Sequence, residues 1–257
     1  MEIAEYKNLA DRENFFWWNV GRRRILKDVV TRHMDSRGAK ILDVGCGPGG
    51  NILFLAEFGE VTGLDSSDEA LSFARGRGFS RVVKGDGGAL PFSDGTFHLV
   101  SALDVIEHIK DDERTLGEMF RVLKPGGLLL MTVPAYPWMW SEHDEALHHM
   151  RRYRAGELRT KIKNGGFLIE ELSYFVFPSI PFRVLKLCVK KIKSFVGLKE
   201  EKVLKTDDVI LPSFLNSLFI LWLEIERHLM KYISLPAGSS LVVVGRKPAR
   251  GKDGEVT

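Results

Sequence analysis

Short apolar runs alternate with segments of helical spacing through the first two thirds of the chain. Ile41-Leu42-Asp43-Val44, Val61-Thr62-Gly63-Leu64, Arg81-Val82-Val83, Phe97 to Leu103 and Leu128 to Val133 are the runs. Between them, apolar positions recur at three- and four-residue steps in Asn51 to Phe58, Ser67 to Arg77 and Asp111 to Leu123. Ser67 is placed to cap the second of these helices, and Lys124-Pro125-Gly126-Gly127 closes the third. Runs this short, without polar alternation, suit strands covered on both faces, and the helical segments are the crossovers that cover them. The pattern predicts an α/β fold around a mostly parallel sheet.

Further elements flank this core. Asn14 to Met34 reads as a helix that carries Phe15-Phe16-Trp17-Trp18 and then Arg22-Arg23-Arg24. Ala155 to Asn164 reads as a helix ended by Gly165-Gly166, Phe167 to Phe177 as a sixth strand, and Ser240 to Arg246 as a seventh. The stretch from Pro178 to Gly238 is far longer than an ordinary connection and has helical patterning of its own, so it reads as an insertion. The charged, Gly-containing tail from Lys247 to Thr257 is expected to fray.

Composition narrows the class without naming a function. With 44% hydrophobic and 28% charged residues, disordered and low-complexity classes are excluded. The formal net charge of +3 is too mild for a dedicated nucleic-acid binder, so no DNA partner is expected. Two cysteines, Cys46 and Cys188, support neither a disulfide scaffold nor a four-cysteine zinc site, and they fit a reducing compartment. The start shows no secretory pattern. The longest apolar run, Val209 to Leu223, stops at Glu224, short of a membrane span. The expectation is a cytoplasmic protein.

Asp43-Val44-Gly45-Cys46-Gly47-Pro48-Gly49-Gly50 follows a strand and opens a helix. Glycines there permit a tight turn and close approach of a ligand to the backbone. The Gly45, Gly47, Gly50 spacing is nominally that of a dinucleotide loop, a weak signal alone. Pro48 removes an N–H that a pyrophosphate would want, and Asp43 would repel a diphosphate while suiting a cationic ligand.

Ile41 to Gly49 resembles the first motif of the class I S-adenosylmethionine-dependent methyltransferases. Four more motifs follow in order: Asp65 at the end of the second strand, Lys84 to Phe92 around Asp86, Phe97 to His108, and Leu123 to Gly127. The resemblance is close over Lys40 to Val133. It implies a Rossmann-like, seven-stranded sheet whose last strand is antiparallel, with a helical insertion before that strand. It also implies S-adenosyl-L-methionine as cofactor and S-adenosyl-L-homocysteine as product. Asp43 would face the ammonium, and Gly45, Cys46, Gly47 and Gly49 the carboxylate and ribose region. Asp65, with Ser66, would hold the ribose hydroxyls. Asp86 and Gly87 would meet the adenine, and Leu103 would complete the wall. Asp104 would stand near the methyl group, and Glu107-His108 would pack behind the fourth strand in a structural role.

The segment Val133 to Tyr153 follows the fifth strand, at the sheet edge where α/β folds bind ligands. Its His143-Asp144 and His149-Met150-Arg151-Arg152-Tyr153 resemble an HD…HxRRY acceptor loop of a ubiquinone- and menaquinone-biosynthesis-like subgroup. An oxygen acceptor needs its proton removed, and a histidine is the natural base. His149 or His143 is the candidate, with Asp144 orienting it. Arg151 or Arg152 would hold an anionic group, and Tyr153 completes the substrate set. The competing reading is that these residues tie a long loop together. His143, Asp144, His148 and His149 are all metal-ligand types, but their spacing matches no metal motif, so no metal is expected.

The chain therefore reads as one domain, 1–257: an N-terminal helical lid (1–38), a cofactor-binding core with acceptor loop (39–177), a helical cap (178–238) and the last strand (239–247). Trp17 and Arg22 are the lid residues expected at the substrate, although most of the aromatics there suit packing on the sheet. Pro181 to Lys199 carries six cations and no acid on an amphipathic pattern. That suits an anionic membrane surface, here the inner face, as well as it suits plain solvent. Pro212 to Leu235 suits burial against the sheet edge or a second copy, which leaves a homodimer open. The expected function is methyl transfer to a small-molecule or lipid- or glycan-linked acceptor, at oxygen. An RNA or protein methyltransferase and a non-catalytic cofactor-binding module remain the alternatives.

Overall fold

The computed structural model describes residues 13–34, 38–195 and 211–249. Seven strands form one sheet: β1 (Ala39–Val44), β2 (Gly59–Asp65), β3 (Val82–Lys84), β4 (Phe97–Leu103), β5 (Leu123–Pro134), β6 (Leu168–Phe175) and β7 (Ser240–Arg246). Their spatial order is β3-β2-β1-β4-β5-β7-β6. The first five pair in parallel, and β7 runs antiparallel between β5 and β6. Strand order reverses between β1 and β4, which creates a crevice at the carboxyl ends of these two strands.

Alternation along each strand divides the core into two layers. On β5, Leu128 and Leu130 point to one face and Leu129, Met131 and Val133 to the other. The first layer is closed by α1 (Trp17–His33), the short α2 (Ile52–Leu55), α3 (Asp68–Gly76) and α8 (Ser213–Leu229). The second is closed by α4 (Asp112–Val122) and α6 (Ala155–Asn164). Ser67 caps α3 as expected, its Oγ accepting from Ala70 N at 3.2 Å, with Asp68 and Glu69 in the favourable first turn.

Two elements differ from the sequence pattern. The helix expected over Asn51 to Phe58 shrinks to Ile52–Leu55. β2 already begins at Gly59, where a Cβ would stand 2.6 Å from Ala39 N, so the helix has no room to continue. The turn expected at Lys124–Gly127 lies inside β5 instead. Leu123 pairs with Phe97 and Leu128 with Leu99, so the four residues between bulge out of register, with Gly126 at φ +78°.

The insertion forms α7 (Ser179–Phe195) and α8. Lys199 of the expected basic helix lies outside the described residues, as do the side chains of Lys186, Lys190, Lys191 and Lys193. α8 packs along α1. Arg24 pairs with Glu224 at 2.8 Å and Arg227 with Asp28 at 2.9 Å, while Trp17 and Phe219 place their ring centroids 5.0 Å apart. Asn216 accepts from Trp17 N and donates to Phe15 O. The buried Glu226 accepts from Val176 N and Phe177 N and so fixes the turn after β6, where Val176 holds a left-handed φ of +62°.

The two helices approach closely at Gly21, where an added Cβ would lie 2.7 Å from Leu223 Cβ. Gly117, on the exposed face of α4, has open space around the same position. Substitutions at the two glycines should therefore act in opposite directions. Gly21→Val should cost about 1–3 kcal/mol through overpacking, and Gly117→Ala should add up to ~1 kcal/mol through helix propensity. Denaturant midpoints of the two variants against the parent check both signs.

Candidate functional site

The glycine loop shapes one wall of a cleft at the carboxyl ends of β1, β2 and β4. Gly45, Gly47 and Gly49 all hold positive φ, at +67°, +53° and +89°. Gly45 has no room for a side chain, since a Cβ would stand 2.8 Å from Val105 Cγ1, whereas Gly47 has open space in front of it. The loop is fastened from β2: Asp65 accepts from Gly47 N at 2.8 Å and from Ser67 N at 2.9 Å. Each carboxylate oxygen accepts a second bond, so a diol facing Asp65 still finds acceptors. Asp86 accepts from Gly88 N at 2.8 Å through one oxygen and leaves the other for a ligand.

The cleft has a volume of about 620 Å³. Of the residues expected to hold a cofactor, Gly45, Cys46, Gly47, Asp65, Ser66, Asp86, Gly87 and Leu103 line it. Asp43 and Gly49 do not, which corrects the expectation of direct contact. Asp43 is wholly enclosed behind the loop, its carboxyl accepting from Ser101 Oγ at 2.8 Å. Burial pushes its pKa up to about 7, against the opposing pull of Ser101 and Arg22. Gly49 is turned against the Phe79 ring. Burial also raises the Cys46 thiol, so it lines the cleft as an uncharged group.

The opposite wall comes from α1, the end of β4 and the loop after β5. Arg22 is buried, ion-paired with Asp104 at 2.7 Å, donating to Thr132 Oγ1 at 2.9 Å and stacked on Trp18 at 4.8 Å. Asp104 holds a left-handed φ of +57° and accepts from Thr132 Oγ1. Arg22, Asp104, Trp18 and His149 all face the cleft. Trp17 does not line it; its ring is used against Phe219 in the α1–α8 contact, which corrects its expected substrate role.

The acceptor loop is organised by Asp144, which stands on α5 (Glu142–Ala146) and is wholly buried. Its carboxylate accepts from Ser141 N at 2.9 Å, from His149 Nδ1 at 3.0 Å, and from Arg152 Nε and Nη2 at 2.7 and 3.0 Å. Burial alone would raise this carboxyl. The His149 and Arg152 bonds outweigh it and hold the group well below the usual carboxylate range. Arg152 also donates to Ala135 O, Tyr153 donates to Asp112 at 2.8 Å, and Arg151 pairs with Asp112 at 3.0 Å. Arg151, Arg152 and Tyr153 therefore tie the loop to the core and are not among the residues lining the cleft, nor is His143. That corrects their expected contact with substrate.

His108 is the residue that motif reading misplaced. The 3₁₀ turn Ile106–His108 keeps Glu107 buried, as expected, but turns His108 into the cleft. Its ring stands edge-on to His149 with centroids 4.7 Å apart. Burial, with His149 alongside, lowers its pKa to about 4, so it is neutral at physiological pH. Glu107 shifts the other way, pushed up by burial and then by Asp104. The signal in the sequence was the adjacency of Glu107 and His108 just after the fourth strand.

Comparison with known proteins agrees with this architecture. A family model described as a methyltransferase domain matches residues 42–131, the span from β1 to β5. Over that span this chain is similar to a methyltransferase domain. The demethylmenaquinone methyltransferase of Staphylococcus aureus is 33% identical over 151 residues, which cover 53% of this chain and 61% of that protein. The match thus spans less than two thirds of the relative. A methyltransferase from the Haloferax volcanii complex with the Trm112 activator superposes with a TM-score of 0.62 at 20% identity, covering 97% of this chain and 95% of that one. The Haemonchus contortus phosphoethanolamine N-methyltransferase 2 complex, which holds S-adenosylhomocysteine, gives 0.54 at 22% identity over 86% of this chain and 51% of that one. At these identities the solved structures establish the fold. The shared fold thus carries a glycine-loop wall and, in this chain, a facing wall built from α1, the end of β4 and the loop after β5.

The Asp144 clamp predicts a stability signature. Removing Arg152 leaves a buried charge without its partner, so Arg152→Met should cost about 3–5 kcal/mol. Asp144 has a depressed folded pKa, so its contribution is complete above about pH 4 and is lost as the pH falls below that. Asp144→Asn should be less stable than the parent at pH 7 and should lose less on acidification. Urea midpoints measured from pH 7 downward check both.

Proposed function

We propose that this protein transfers a methyl group from S-adenosylmethionine to a hydroxyl of a hydrophobic, quinol-like acceptor. The observation that carries the reading is a cleft with two unlike walls. One wall is a glycine loop with Asp65 and Asp86, and the other holds Asp104, His108 and His149. The residues fit the cofactor on chemical grounds. The open space before Gly47 admits a ligand to the backbone, Asp65 faces a diol, and the free oxygen of Asp86 accepts from an amine. When bound, S-adenosylmethionine supplies a methyl carbon already activated by a sulfonium.

The chain's own residues then have positioning and proton transfer to perform. Asp144 holds His149 by Nδ1, which leaves Nε2 for the acceptor side of the cleft. Trp18 and the Arg22–Asp104 pair line the same cleft and narrow the space in which an acceptor is positioned.

Two observations support a hydrophobic acceptor. The outer face of α8 exposes Phe214, Leu218, Leu221, Trp222, Ile225 and Leu229, and α7 exposes Phe182, Leu185 and Val189. Apolar surface of this extent is uncommon on a protein that meets only water, and it suits a lipid surface. No helix among the described residues is long and apolar enough to cross a membrane. The Staphylococcus aureus relative carries the name demethylmenaquinone methyltransferase, which suits a quinone-like acceptor.

Calorimetry with S-adenosylhomocysteine and with NAD+ tests the cofactor: binding of the first and not the second is expected, and the reverse sinks the reading. Asp65→Ala should weaken S-adenosylhomocysteine by about 10–100-fold, the loss of charge-assisted bonds to two hydroxyls. Flotation with anionic liposomes tests the acceptor class. Replacing Phe214, Leu218 and Leu221 with Ser should abolish co-flotation; equal flotation of parent and variant argues for a water-soluble acceptor.

A further inference from the structure

Glu107 is a buried carboxyl group that the cofactor cleft does not account for. Its carboxylate is wholly enclosed, and neither oxygen has a hydrogen-bond partner. The cations nearest to it are committed elsewhere, Arg22 to Asp104 and Arg152 to Asp144. An ionised carboxylate left this way is strongly disfavoured unless a further cation joins it.

The side chains beside it supply the rest of a cation site. One oxygen of Glu107 and one nitrogen each of His108 and His149 lie within 4.8 Å of one another. One imidazole is steadied from outside this cluster: His149 is held through Nδ1 by Asp144 at 3.0 Å. Imidazoles that ligate metals are held in this manner, the outer partner fixing tautomer and ring direction. The grouping differs from the one the sequence suggested, because Asp144 is taken by Arg152 and cannot also ligate.

We propose that Glu107, His108 and His149 bind one divalent transition-metal ion at the acceptor end of the cleft. Two imidazoles and one carboxylate match Zn2+ or Co2+ better than Mg2+ or Ca2+, which prefer all-oxygen sets. Ligands at ~2.1 Å from one ion can stand at most ~4.2 Å apart, so metal entry draws the three side chains slightly inward. His108 and His149 line the cleft, so the position left open faces it.

This deepens the methyltransferase reading, and rests on it for the ion's role though not for its binding. The acceptor class becomes one that can ligate through oxygen, such as a phenol or a vicinal diol. An acceptor hydroxyl entering the open position would lose its proton to solvent water more readily. Its oxygen then bonds to the methyl carbon as the carbon–sulfur bond breaks, and that bond's electron pair stays on sulfur. No oxidation state changes. His149 in this form is a ligand, and the ion takes over the acidification of the hydroxyl.

The test uses the full chain stripped with EDTA and titrated with Zn2+ by calorimetry and with Co2+ by visible absorption. One equivalent should bind, and the Co2+ spectrum should be that of a low-symmetry nitrogen–oxygen site; no binding, or the spectrum of the aqua ion, overturns the proposal without any variant. Glu107→Gln and His108→Ala should each weaken Zn2+ more than about 100-fold, with partial recovery in Glu107→Asp. Unchanged Zn2+ affinity in both variants also overturns it. S-adenosylhomocysteine titrated into the same samples separates the two readings. A parent that binds Zn2+ but not S-adenosylhomocysteine refutes methyl transfer and leaves the metal site standing. A parent that binds only S-adenosylhomocysteine does the reverse.

Discussion

The buried carboxylate of Asp144 is the interaction on which the acceptor half of the molecule depends. One side chain takes up a helix-start amide, a bidentate guanidinium and an imidazole. Burying an unpaired carboxylate would be prohibitive, and burying this one is tolerable only because all of these partners arrive together. The loop after β5 is therefore held as a unit. His149 faces the cleft because Arg152, several residues further on, locks the same carboxylate from the other side. Arg152 and Tyr153 thus act on the site through position, at a distance from any ligand.

The glycine-loop wall obeys a different constraint. There the backbone does the work: three positive φ angles expose the loop to a ligand, and Asp65 ties it to the next strand. Little of that wall needs long-range contacts to form, since β1, the loop and β2 are contiguous in sequence. The facing wall is assembled from α1, β4 and the loop after β5. The site thus joins a locally specified half to a half specified by tertiary packing.

That division explains what could be read from the sequence. Period and punctuation located every strand, and β4, α6 and β7 were placed to the residue, because their patterns are long and bounded by turn residues. α2 was overestimated because its apolar spacing carried no sign that Gly59 must already lie flat against β1. Asp65 and Asp86 were legible because each sits at a strand end in register with the glycine loop. Arg151, Arg152 and Tyr153 were misread as ligand contacts, since residue type alone does not tell a guanidinium that meets a substrate from one that meets Asp144. His108 was overlooked because a one-turn 3₁₀ element decides which of two adjacent polar residues enters the cleft, and no periodicity encodes that.

The pairing of α1 with α8 has a temporal meaning as well as a spatial one. Arg24 and Glu224 lie 200 residues apart in sequence, so α1 finds this partner only after β1 to β6 have been made. Until α8 arrives, Trp17 and its neighbours have no Phe219 to cover them, and Trp18 and Arg22 lack the support that keeps them over the cleft. β1 to β5 can pair as they are made, whereas β6 waits for β7 and the cover of the site waits for α8. A chain cut short before α8 would keep β1 to β5 and the glycine loop but lose both the cover and β7, which leaves β6 without a strand to pair with.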